Sequence, residues 1–412
     1  MSHARLPLSV WSLALAMGIG MSAATIAVRV AAEFGEELSG DRAIATLPTG
    51  LQVVGIMLSG LICSRAMARF GRKPVLLVGL SFGILAGLVG VLAAVQQSYY
   101  TLFPAHFFLG VYLANIALLR FTAADQVMGP ASARAISLTL FGGVIAAFVG
   151  PGFVFAADLI SSTQYYGISY GFIALVSACV LTLIAVTPIK NNAAETAPES
   201  TAVPTDTATD TATTPRAPTP PYMSYAYITA VLTGSIGYGV MALLMTAAAL
   251  YMKELNMAEG PHRGHFGNNV RTFAIMWHVV AMFGPMIILP RLADLIGLKS
   301  LMMLGAGLLI LSAAIGIGWN TPVAMYAALI VLGLGWAATY GTGGIVVKKV
   351  VADEARFVAQ GRNEFTVAFM AGVGSIGAGF ALKYLGWEAM NWMAILMVAI
   401  LIPLIAKLNL SK

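Results

Sequence analysis

Charge is what this chain has least of. Of 412 residues only 10% are Asp, Glu, Lys or Arg, against about 25% in a soluble globular domain. Hydrophobic residues make up 59% and the mean hydropathy is +0.85. One soluble core cannot hide that much apolar surface, and a lipid bilayer is its natural solvent. Cysteine is nearly absent too: Cys63 and Cys179 lie in apolar runs, with neither zinc spacing nor a disulfide framework. There is no G-x-x-x-x-G-K-[ST] loop, which excludes a P-loop ATPase engine. No nucleophile–base constellation suggests an enzyme. No Asp or Glu falls in the middle of an apolar run, where intramembrane proton carriers usually sit. Asn115 and Asn391 are too few polar side chains for a sugar cavity. The net charge of +6 comes without a basic stripe interleaved with aromatics, so nucleic acid is not an expected partner.

What is present is a series of apolar runs, each long enough to cross a hydrocarbon core. They fall near 8–31, 45–65, 74–95, 99–120, 136–157 and 168–188, then near 224–250, 270–290, 299–318, 322–345, 364–385 and 389–407. The segment from Leu6 to Phe34 is too long for a signal peptide and has a weak basic leader, so it reads as an uncleaved first helix. Between the two sets, Lys190 to Pro221 is rich in Thr, Ala, Pro, Asp and Glu and has almost no large apolar residue. Such a composition cannot bury a core and is expected to be a disordered linker. The expectation is an all-α membrane protein with twelve transmembrane helices in two parallel six-helix halves, 1–189 and 223–412, joined by a linker at 190–222.

Lys and Arg set the orientation. Arg65, Arg69, Arg72 and Lys73 lie in the 2–3 loop, Arg120 and Arg134 near the 4–5 loop, Arg291 and Lys299 in the 8–9 loop, and Lys348, Lys349, Arg356 and Arg362 in the 10–11 loop. These loops share a side with both termini, which are therefore expected in the cytoplasm. The opposite side carries Glu33, Glu36, Glu37 and Asp41 in its first loop. The exception is the 7–8 loop, with Lys253, His262, Arg263, His265 and Arg271; His262 and His265 read as solvated loop residues. Arg120 and Asp125 read as a local charge pair at the membrane edge, and Arg29 and Glu364 read the same way.

Sulfur stands out. With 21 methionines, chance placement gives about one Met-x-x-x-Met pair, and the sequence has Met17/Met21, Met241/Met245, Met282/Met286 and Met393/Met397. His278 and Met282 share the same spacing. A spacing of four puts both side chains on one helix face. Thioethers and imidazole are suitable copper ligands and need carry no charge at membrane depth. Most methionines in apolar helices nonetheless fill gaps, which is the expected role of Met57 and Met286.

The 2–3 loop reads Ser64-Arg-Ala-Met-Ala-Arg-Phe-Gly-Arg-Lys-Pro74. It resembles the major facilitator loop motif G-x-x-x-D-R-x-G-R-[RK] at Arg69, Gly71, Arg72 and Lys73, with Ser64 and Ala68 in place of the usual Gly and Asp. Gly150-Pro151-Gly152 resembles the superfamily's bend-forming Gly-Pro motif. Met241-x-x-x-Met245 with His278-x-x-x-Met282, set among Trp277-His-Val-Val-Ala-Met-Phe, Leu332-Gly-Leu-Gly-Trp336 and Ala359-Gln-Gly-Arg-Asn363, is similar to the CcoA-like copper importers of that superfamily. The resemblance implies import of copper across a bacterial inner membrane by alternating access, for cytochrome oxidase assembly. Met241, Met245, His278 and Met282 would hold the ion as cargo, Met17 and Met21 would be accessory, and copper chaperones would be partners. This architecture needs no second subunit for a path, so a monomer is expected. A branch of the same family moves riboflavin. A carrier of that kind would use aromatic stacking, for which Trp277, Trp336, Tyr238 and Tyr340 are available.

Overall fold

The computed structural model describes residues 6–128, 131–161, 164–190, 224–257, 264–265, 267–318, 321–351 and 356–410. Beyond Lys190 the expected linker lies outside these residues, and so does His262. Every described element is a helix, as a chain in lipid requires: only a helix satisfies its backbone polar groups within one segment. Span 1 is Leu8–Ser39, span 2 Leu47–Phe70, span 3 Arg72–Gln96, span 4 Leu102–Ala124 and span 6 Tyr165–Val186. Span 5 is two helices, Ala131–Phe141 and Gly143–Ile160. Span 7 is Tyr225–Met257, span 9 Leu298–Gly318, span 10 Pro322–Val350 and span 11 Arg356–Tyr384. Span 8 runs Asn268–Phe283, a 3-10 turn Gly284–Ile287 and Leu289–Ile296. Span 12 is Gly386–Ala399 and Leu401–Ala406. Eleven spans are long and apolar enough to cross a membrane, and span 2, whose apolar part is Leu47–Gly60, completes twelve.

The breaks have local causes. Pro285 and Pro403 lack the N–H that would continue the helical ladder in spans 8 and 12. Span 5 is interrupted at Gly142, whose backbone stays in the right-handed helical region, and not at the Gly-Pro motif: Pro151 sits inside a continuous helix. Gly150 instead brings span 5 against span 1, where a methyl group would collide with Thr25.

Each half builds its own core, and the two halves repeat one packing scheme. Spans 1 and 5, 2 and 4, 3 and 4, and 3 and 6 pack together, matched by 7 and 11, 8 and 10, 9 and 10, and 9 and 12. The halves meet through span 2 on span 11 and span 5 on span 8, which are also related by the repeat. Small residues permit the close approaches. Along span 3, Gly79 faces Asn115, Gly83 faces Tyr112 and Ser177, Gly87 faces the backbone of Ala174 and Gly90 faces the Tyr170 ring.

The loop motif occurs twice. Gly71 at φ 82° and Gly297 at φ 83° turn the chain into spans 3 and 9, a conformation that favours glycine. Two residues on, Lys73 Nζ donates to the Thr187 carbonyl at 2.9 Å and Lys299 Nζ to the Ala406 carbonyl at 2.6 Å. Each lysine thus satisfies a carbonyl and the negative dipole end of its half's last span. Asp294 stands in the second copy at the acidic position that Ala68 occupies in the first.

The expected Arg120–Asp125 pair does not form. Asp125 caps span 4 and accepts from Arg72, whereas Arg120 reaches Glu364 across the halves at 3.5 Å. Asp125 is the near acid in sequence, but Arg120 lies among the central side chains, where span 11 brings Glu364, and Asp125 lies at the rim. Span 1 also runs past its expected end. Glu33 is buried within it instead of lying in a loop, held by Arg29 of the same helix and by Arg271 of span 8, each at 2.7 Å. Further out, Lys253 pairs with Glu36, Arg42 with Glu254 and Lys383 with Asp41, each pair joining the two halves. The excess of cations near the 7–8 loop is therefore matched by the acids of the first loop, and the halves are bound together at the ends opposite the chain termini.

Candidate functional site

Where the halves face each other, span 10 presents Trp336 and Tyr340, one helical turn apart and stacked at 4.8 Å with an interplanar angle of 18°. Tyr238 of span 7 stands edge-on to both, at 5.4 Å from Trp336 and 5.6 Å from Tyr340. Phe283, where span 8 breaks, meets Trp336 edge-on at 5.7 Å. Offset and edge-to-face arrangements are those aromatic rings prefer. Three spans of the second half thus form one aromatic wall.

Arg120, on span 4 of the first half, closes this wall from the opposite side. Its Nη1 donates to the Tyr340 hydroxyl at 3.4 Å, a long bond, and its Nη2 lies 3.5 Å from Glu364. Its Nε is buried without a hydrogen-bond partner among the described residues, as is Nε1 of Trp336. A buried donor with no acceptor costs about 1–3 kcal/mol. Two buried donors thus stand without an acceptor, among the described residues, beside one aromatic wall.

Of the four aromatics expected to stack, Tyr238, Trp336 and Tyr340 come together. Trp277 does not: it is 45% exposed on the apolar perimeter. Phe283 and Glu364 join the site without having been singled out as members. Glu364, a charge inside a spanning helix, had that signal, since such residues usually line an interior path.

The sulfur set belongs to the core of the second half. Met241 and Met282 are in it, Met245 packs against it and His278 is fully buried. Spans 7 and 8 touch each other only briefly, and span 10 packs extensively on both. His278 Nδ1 donates to the Leu329 carbonyl at 2.6 Å, which leaves Nε2 as the acceptor nitrogen, without a hydrogen-bond partner among the described residues. That tautomer is the one a metal-ligating imidazole adopts. Among the described residues no three His, Cys, Asp or Glu side chains form a metal-holding group, so a copper site here would rest on thioethers. Met17 is buried in the core of the first half, and Met21 packs against the cores of both halves. Arg69 is exposed over the Phe70 ring, at 5.2 Å from its centroid. His265 is exposed.

No protein-family model matches the chain. It is 30% identical over 403 residues to the riboflavin transporter RfnT of Brucella anthropi, spanning 96% of this chain and 95% of the relative. The MFS-type transporter YdeG of Bacillus subtilis is 25% identical over 398 residues, with 94% and 88% covered. Among solved structures, a variant of the nucleoside transporter NupG superposes with a TM-score of 0.72 at 14% identity, covering 97% of this chain and 100% of the other. The human organic anion transporter MFSD10 gives 0.65 at 13% identity, with 96% and 98% covered.

Proposed function

Because the chain belongs to the major facilitator superfamily of transporters, we propose that it carries a flat, carbonyl-bearing organic solute of the riboflavin kind across the bacterial inner membrane by alternating access. The observation that carries this is the aromatic wall of Tyr238, Trp336, Tyr340 and Phe283, beside which Trp336 Nε1 and Arg120 Nε have no hydrogen-bond partner among the described residues. A tricyclic flavin ring would stack on the wall and its carbonyls would accept from the two donors. Arg120 and its partners join the two halves, so a solute bound there would be felt by both as they rock. The relative that moves riboflavin, alike over nearly its full length, supports the same choice of cargo.

A second reading keeps copper as the cargo, with Met241, Met245, His278 and Met282 as its ligands and chaperones of oxidase assembly as partners. The acceptor nitrogen of His278 favours it. One experiment separates the two: uptake of radiolabelled riboflavin and of radiolabelled copper by cells expressing wild type, Met241→Ala, His278→Ala and Trp336→Ala at matched membrane levels. Riboflavin uptake by wild type and both sulfur-site variants, lost in Trp336→Ala, is the expected result. Copper uptake by wild type that vanishes in Met241→Ala and His278→Ala would establish the second reading instead.

A further inference from the structure

We propose that the Glu33 carboxyl is a proton-binding site, and that its protonation from the outer side releases the contact holding the two halves closed there. Glu33 is 1% exposed. Its Oε1 accepts from Arg29 and from Arg271, each at 2.7 Å, and Oε2 from the Tyr165 hydroxyl at 3.3 Å. Arg29 in turn donates from Nε to the Thr272 hydroxyl at 2.9 Å. Spans 1 and 6 of the first half and span 8 of the second therefore meet at one carboxylate.

The linkage follows from which partners can leave. Arg29 lies one turn away on the same helix and moves with Glu33. Arg271 and Thr272 belong to the other half and withdraw with span 8 when the outer side opens. The closed form holds the ionised carboxylate with two guanidinium groups, and the open form retains one. A proton on Glu33 removes the charge that binds Arg271, and the side chain of Arg271, already 11% exposed at the rim, turns to water. The open form thus binds the proton better, and acid on the outer side drives opening. The other ionisable groups here are distinct in position. Tyr166 stacks beside Tyr165 on span 6, and Asp158 lies at the outer end of span 5. Glu36 and Glu37 are on span 1, with Arg42 and Lys253 on Glu36; Glu254 and Asp41 lie further out, on Arg42 and Lys383. The inference holds whatever the cargo, and its test needs none.

Ala32, 3% exposed beside Glu33 and packed against the second half, reports opening when changed to cysteine with Cys63 and Cys179 replaced by serine. The rate of maleimide labelling is measured on purified protein in lipid nanodiscs between pH 8 and pH 4.5 and divided at each pH by the rate of the same reagent with a free thiol, because the reactive thiolate fraction itself falls with pH; this ratio is the rate compared. With Glu33 intact the rate is expected to rise as pH falls, by up to about tenfold per pH unit for a single proton. With Glu33→Gln it is expected to be fast and flat, while Asp41→Asn, Glu254→Gln and Asp158→Asn keep the rise. If Glu33→Gln does not assemble, Arg271→Gln serves, and fast, flat labelling is again expected. A flat profile with Glu33 intact, a rise that survives Glu33→Gln, or slow labelling in Arg271→Gln would each overturn the proposal.

Discussion

Arg120 is the side chain on which the site turns, because it brings first-half charge to the second-half aromatic wall. Both its hydrogen-bonding contacts are long, at 3.4 Å to Tyr340 and 3.5 Å to Glu364, so its guanidinium is not saturated. A hydrogen bond from a charged donor to a solute contributes about 1.5–3 kcal/mol. Arg120→Ala is therefore expected to raise the KM for riboflavin uptake roughly ten- to a hundredfold. Arg120→Lys is expected to recover little, because an ammonium cannot reproduce the guanidinium fork. Trp277→Ala, on the apolar perimeter, is expected to leave KM within about twofold, since surface changes rarely exceed ±0.5 kcal/mol. Kinetics of uptake at matched expression check all three. At this scale the sequence was only partly legible. Trp336 and Tyr340 share a face by their spacing, which can be read directly. Trp277 could not be told from them, because an aromatic residue on a membrane helix can face lipid as readily as cargo. The cross-half partners of Arg120 and Glu33 were hidden for a different reason: Glu364 and Arg271 lie more than two hundred positions away, and only tertiary packing gives Arg120 Glu364 in place of the nearer Asp125.

At the scale of the helix, span identity was legible because lipid leaves so few alternatives. A chain in hydrocarbon must supply about 20 apolar residues for each crossing, and the runs are visible at once. The ends were less so. Span 1 continues to Ser39 because Arg29 and Arg271 neutralise Glu33, which would otherwise end the apolar run. The glycines that let helices approach also need a structure to identify. Gly87 meets the backbone of Ala174, whereas Gly307 faces open space. Gly87→Ala is expected to destabilise by about 1–3 kcal/mol through overpacking. Gly307→Ala is expected to be neutral or mildly stabilising, since alanine is favoured over glycine by about 0.5–1 kcal/mol within a helix. Thermal unfolding of the purified variants in one detergent distinguishes them, and equal melting temperatures would contradict the close packing of spans 3 and 6.

Over the whole molecule, the six-plus-six plan could be read from the linker and the spacing of the runs, and the repeat is visible in matched helix pairs and in the twin Lys73 and Lys299 caps. Which side is closed could not be read, since it depends on pairs joining the two halves. One of these makes a pH claim with a definite sign. Lys383 donates to the Asp41 carboxylate at 2.7 Å and the Ala43 amide adds a second bond at 2.8 Å. Both hold Asp41 below the usual carboxylate range, the Lys383 bond most strongly. A lowered carboxyl gives its stabilisation above the ordinary value and loses it as pH falls through the lowered one. The Asp41–Lys383 contact is therefore expected to persist at pH 5 and to weaken only below about pH 4, the ordinary aspartate value. Disulfide trapping of cysteines placed at these two positions cannot report it, because the substitution removes the pair; the carbon-13 carboxyl shift of Asp41 against pH can. A midpoint at or above the ordinary value would contradict the contact.

The central claim is that the wall around Trp336 is where a flavin-like cargo binds. Flavin emission is quenched when the ring stacks on tryptophan or tyrosine, so the most direct measurement is titration of riboflavin fluorescence with the purified protein and with Trp336→Leu. The expected result is saturable quenching by wild type that Trp336→Leu loses while remaining folded. No saturable quenching by folded wild type, together with Cu(I) binding that Met241→Ala abolishes, would contradict the claim and transfer the site to the methionine set.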